Sequence, residues 1–126
     1  MTDQELLDMA RAASERSYSP YSHFAVGAAL ECSDGTVFTG CNIENAAYGD
    51  TICAERTAAV KAVSEGRRDF ARIAIWADSR DYCYPCGSCR QFLQEFSKDM
   101  TVICGRGDGT WVSHPLSEMM PFFFDF

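Results

Sequence analysis

The sequence predicts an α/β fold: a hairpin, then alternating helices and strands, which form a mixed sheet covered by helices on both faces. Three observations carry this. Asp34-Gly35 lies between two runs of strand character, the pattern of a tight hairpin. Thr51 to Glu65 is Ala-rich and stopped by Gly66, which reads as a helix. Arg72 to Asp78 and Thr101 to Cys104 are short apolar runs of buried-strand type, separated by a third helical segment.

The elements follow in order. Thr2 with Glu5 forms a capping box that opens a helix, with Leu6, Met9, Ala10 and Ala13 as its apolar face. Pro20 ends that element within the loop Ser17 to Ser22. Phe24 to Leu30 and Thr36 to Ile43 are the two hairpin strands, and Asn45 to Asp50 is loop. Cys86 to Ser97 is a helix entered through Pro85. A Gly-Asp-Gly turn at 107 to 109 leads to a strand around Trp111. A short helix over Leu116 to Met120 precedes the tail Pro121 to Phe126. With 126 residues and neither repeat nor linker, one domain over 1–126 is expected.

Composition narrows the function. Eleven basic residues against 18 acidic give a net charge of −7. Nucleic-acid binders draw much of their affinity from a basic surface, so a small substrate is favoured and no nucleic-acid partner is expected. No apolar run approaches the ~20 residues of a membrane span, and the start MTDQELLDMA is too acidic for a signal peptide. A cytoplasmic protein without a membrane partner is expected. Its seven cysteines then read as thiols or metal ligands rather than disulfides.

The chemistry concentrates in Cys53-Ala54-Glu55 and Pro85-Cys86-Gly87-Ser88-Cys89, each opening a predicted helix. Cys86 and Cys89 share one helical face and can grip one ion. Helix N-termini favour the thiolates a metal requires. Cys53 supplies a third, and three protein ligands leave a fourth tetrahedral position for water, the arrangement of a catalytic zinc. Glu55 is placed to face that water without ligating.

These motifs resemble the zinc deaminase pattern with three cysteine ligands. With Tyr21-Ser22-His23-Phe24-Ala25-Val26-Gly27, Gly40-Cys41-Asn42-Ile43-Glu44-Asn45-Ala46 and Cys53 to Ala58, the chain is similar to the small homotetrameric cytidine deaminases. The resemblance implies a five-stranded mixed sheet in a three-layer α/β/α sandwich and one zinc per chain. It implies hydrolytic deamination of cytidine and deoxycytidine by water, as in pyrimidine salvage, with Glu55 as proton shuttle. Phe24 would stack on the pyrimidine, Asn42 and Glu44 would bind sugar hydroxyls, and the Ala54 N–H would touch the base. Phe124, three residues after Pro121, would line the site of a neighbouring subunit in a homotetramer. Three thiolates oppose the acidification of water, so Arg56 is expected to donate hydrogen bonds to ligand sulfurs.

Two other readings stand beside this one. A closed structural Cys₄ site would add Cys83, but residue 84 precedes a proline and should be extended, leaving Cys83 up to ~10 Å back along the chain. A deaminase of nucleic acid or of a nucleoside antibiotic would keep the chemistry; the acidic balance opposes the first and Asn42 to Asn45 the second. Cys32, Cys41 and Cys104 read as inert strand thiols, His23 and His114 as structural or surface histidines. Leu93, Phe92 and Phe96 read as helix packing, and Trp76 as core or interface.

Overall fold

Five strands form one mixed sheet in the order β2-β1-β3-β4-β5. They are β1 (Val26–Cys32), β2 (Val37–Cys41), β3 (Phe70–Ala77), β4 (Thr101–Gly105) and β5 (Trp111–Pro115) in a computed structural model that describes residues 1–126. Only β3 and β4 pair in parallel; every other pairing is antiparallel. The parallel pair is joined through a helix, as such a crossover requires. This is the three-layer sandwich with a five-stranded mixed sheet that the resemblance implies.

Helix α1 (Asp3–Ser14) begins at the Thr2 capping box and covers one face. It buries Leu6, Leu7, Ala10 and Ser14, so Leu7 faces inward, whereas Met9 and Ala13 lie at the margin. Leu6, Leu7 and Ala10 pack with Ala29, Ala74 and Ile103. The opposite face carries α2 (Ala54–Ser64) and α3 (Gly87–Gln94), with a larger core that includes Leu30, Ile73, Ile75, Leu93 and Val102. A last helix, α4 (Leu116–Met119), places Leu116 in that core. Fully burying such a side chain is worth about 1.5–3 kcal/mol.

Two glycines set how closely the layers approach. A Cβ on Gly27 would stand 1.9 Å from the Ala10 carbonyl oxygen of α1, and one on Gly40 would stand 2.5 Å from the Ala58 nitrogen of α2. Both helices therefore lie directly on the sheet backbone. The Gly40 contact matters for function, because it fixes α2, whose first turn carries the metal motif.

Several boundaries differ from the sequence reading, β2 ending at Cys41 and β3 starting at Phe70 among them, and three of the shifts have a local reason. The first strand starts at Val26 rather than Phe24, because side chains rather than the sheet ladder hold the Phe24 backbone. Helix α2 starts at Ala54 rather than Thr51, because Ile52 exchanges backbone hydrogen bonds of 2.9 Å with Ile43. Helix α3 ends at Gln94 rather than Ser97; Phe96 turns in to meet the rings of Phe70 and Phe92, with centroids 5.3 and 5.7 Å apart. No helix is long and apolar enough to cross a membrane.

Candidate metal and nucleoside site

The N-termini of α2 and α3 meet, and each is capped by a cysteine, Cys53 and Cys86. Cys53 Sγ lies 3.7 Å from Cys86 Sγ, and Cys86 Sγ lies 3.3 Å from Cys89 Sγ. All three sulfurs fall within 4.8 Å of one another. Around a tetrahedral zinc with Zn–S bonds of about 2.3 Å, sulfurs stand about 3.8 Å apart, so the donor set fits one zinc ion. Cys83 is not among these sulfurs; its backbone N–H is tied to the Gly105 carbonyl at the end of β4.

The electrostatics suit a cation. Hydrogen bonds from the Cys89 and Cys86 thiols, outweighing burial and aided by the Arg56 guanidinium, bring the Cys53 thiol down to about 6. The same contact with Cys53, together with burial, raises Cys89. The Cys89 N–H donates to Cys86 Sγ at 3.4 Å, a contact at the start of α3. A cation among three such sulfurs replaces their remaining protons.

Glu55, one residue inside α2, is 4 % exposed. Burial, aided by the negative charge of Cys53, raises its carboxyl to about 7. A carboxyl poised there can both accept and release a proton in neutral water. Arg56 departs from expectation in its partner: the guanidinium donates to Ser88 Oγ at 3.0 Å, between the two α3 cysteines, rather than to a sulfur. Its charge still acts on Cys53 and Glu55 through space.

A cavity of about 270 Å³ opens over these groups, lined by Phe24, Asn42, Glu44, Ala54, Glu55 and Tyr84 among others. Phe24 is 44 % exposed, so its ring is not spent on the core. Asn42 is buried and works on backbone: its Nδ2 donates to Phe24 O at 2.7 Å and its Oδ1 accepts from Val26 N–H at 3.0 Å. Glu44 Oε1 accepts from the N–H groups of Tyr21 and Ser22 at 2.9 and 3.1 Å. Both residues the resemblance links to the sugar therefore also hold the loop that bears Phe24. The wall also contains Ser22, Val26, Thr51 and Tyr84, which sequence reasoning did not assign to the site, and Cys83, which it weighed only as a fourth metal ligand. The remaining sequence candidate, Phe124, lies outside the cavity on the exposed tail, where its carbonyl accepts from Gln91 Nε2 at 3.0 Å.

Residues 1–106 match the family model of the cytidine and deoxycytidylate deaminase zinc-binding region. The chain belongs to this family. A cytidine deaminase of Halalkalibacterium halodurans is 49 % identical, over 96 % of this chain and 92 % of that one. A probable cytidine deaminase of Dictyostelium discoideum is 44 % identical, over 98 % of this chain and 86 % of the relative. The crystal structure of cytidine deaminase from Burkholderia pseudomallei superposes with a TM-score of 0.96 at 42 % identity, covering 98 % of this chain and all of that one.

Proposed function

We infer that the chain is a zinc-dependent deaminase that hydrolyses cytidine and deoxycytidine to uridine and deoxyuridine with release of ammonia, a step of pyrimidine salvage. The observation that carries this is a buried carboxyl, Glu55, beside three sulfurs spaced for one zinc at the floor of an open cavity. Cys53, Cys86 and Cys89 would hold one ion per chain, which supplies an acidified water at neutral pH. Glu55 takes one proton of the attacking water and passes it to ring N3, then takes the proton left on the new ring-carbon hydroxyl and delivers it to the departing amino group. One carboxylate serves because each proton is handed on rather than stored. Phe24 stacks on the base, the Ala54 N–H contacts it, and Asn42 and Glu44 meet the sugar hydroxyls. Asn42 keeps one Nδ2–H for this, since one bond from that nitrogen goes to Phe24.

The substrate is a free nucleoside and the assembly a homotetramer, in which Phe124 reaches a neighbouring site. The net charge of −7 supports the first and disfavours nucleic acid. An ultraviolet assay of cytidine, deoxycytidine, cytosine and CMP, with zinc determined per chain, tests the whole reading. Turnover of the two nucleosides far above CMP, with about one zinc per chain, is expected; efficient deamination of CMP or of a single-stranded oligonucleotide overturns the substrate assignment. Cys86→Ala should lose both metal and activity while Cys83→Ser keeps both. Loss of zinc in Cys83→Ser would instead restore the four-cysteine site.

A further inference from the structure

The loop that carries Phe24 is built in an unusual way. His23 adopts φ 58, a left-handed conformation few non-glycine residues take, and its N–H reaches the Ser19 carbonyl at 3.0 Å. This reverses the chain just before Phe24 and turns its ring toward the cavity rather than into the sheet. Such a conformation persists only where the surroundings over-determine it, and here one hydroxyl does so at the N-terminal side of Phe24. Ser22 Oγ donates to Glu44 Oε2 and at the same time accepts the Phe24 N–H at 3.0 Å. The carbonyl side of Phe24 is held by Asn42.

We propose that Ser22 is a positioning residue for the deaminase reaction: its hydroxyl couples the carboxylate facing the sugar, Glu44, to the ring facing the base, Phe24. This rests on the base-stacking and sugar-binding roles inferred above. The coupling is directional in its chemistry. Glu44 is an acceptor only, so the Ser22 proton must point to it, which leaves an oxygen lone pair for the Phe24 N–H. A sugar hydroxyl that orders Glu44 thereby orders the stacking ring, and a base without its sugar loses both contacts.

The experiment is a double-mutant cycle on the zinc-loaded protein. A hydrogen bond to a charged group is worth enough that Ser22→Ala should raise the KM for cytidine roughly tenfold. kcat should stay within about twofold and zinc content should not change, since Ser22 touches neither the sulfurs nor Glu55. Ser22→Thr keeps the hydroxyl and should recover most of the loss. In a Phe24→Ala background the Ser22→Ala penalty should shrink below about twofold, because the ring it positions is gone. A tenfold penalty that persists in that background, or no penalty in the native one, overturns the proposal. Hydrogen exchange of the Phe24 amide adds a readout independent of substrate: it should quicken in Ser22→Ala and not in Ser22→Thr, and unchanged exchange would remove Ser22 as the anchor. If Phe24→Ala alone leaves KM unchanged, the stacking role fails and the coupling falls with it, whatever the amide shows.

Discussion

Glu55 lies at the most demanding position in the molecule, a carboxyl buried beside sulfurs that a metal must turn negative. Burial raises its carboxyl to about 7, where it can both take up and give back a proton in neutral water. Glu55→Gln keeps the size and most hydrogen bonding but cannot carry a proton. Loss of general acid–base catalysis costs about 10²–10⁴-fold, and one residue here serves several transfers, so kcat should fall to the upper end of that range or beyond. Zinc measured by metal analysis should stay bound; near-native turnover would remove Glu55 from the chemistry. This residue and the three cysteines were legible in the sequence because their spacing at two helix starts is itself the geometry. Asn42, Glu44 and Ser22 were less so. Their hydrogen bonds join two segments outside the strands, one before β1 and one after β2, some 18 to 23 residues apart, as Asn42 to Phe24 and Glu44 to Tyr21 illustrate, and no local pattern encodes that.

Among the elements, strand and helix order could be read along the chain, whereas boundaries followed contacts from elsewhere. Phe24 has strand character, yet side chains hold it in a loop. Ile52 is pulled out of α2 by Ile43. A cross-element tie of another kind fastens α1 to the sheet. Arg72 of β3 donates to both oxygens of Glu31 on β1, at 2.8 and 2.9 Å, and to Asp3 of α1 at 2.6 Å. The guanidinium beside Glu31 lowers its carboxyl below the usual range, against a smaller opposing effect of burial. A carboxylate depressed in the folded state contributes stability above its unfolded pKa and loses it as pH falls through the folded one. At pH 7 Glu31→Gln should therefore cost about 1 kcal/mol, a figure held down by partial exposure, or about 4 °C in Tm. Thermal melts at descending pH should show the gap to the native protein narrowing below about pH 4.5. A gap that is constant between pH 7 and pH 3 would mean the pairing contributes nothing.

At the scale of the whole molecule, a set of large aromatic side chains stands exposed. Phe122, Phe124 and Phe126 are 103, 68 and 112 % exposed, and Tyr18, Tyr21, Tyr48 and Tyr84 add further aromatic surface. The tail does not simply float: Gln91 holds the Phe124 carbonyl, and Lys98 lies 5.0 Å from the centre of the Phe123 ring. Its backbone is thus anchored on α3 while three rings face outward, an arrangement that offers them to another copy of the chain. The Phe124 and Phe126 rings lie against each other, 5.5 Å between centroids, and a ring of this kind buried in a contact is worth about 1.5–3 kcal/mol. The homotetramer proposed above uses these rings, with Phe124 entering a neighbouring cavity. Light scattering during turnover should give a particle of about 56 kDa, four times the 14.0 kDa chain. Phe124→Ala should raise KM for cytidine while leaving zinc content intact, because in the proposed assembly the ring would meet the substrate and not the sulfurs. Dilution that dissociates the particle should abolish activity in step with the loss of mass. A fully active species of 14.0 kDa would show that one chain closes its own site and that these rings serve some other contact.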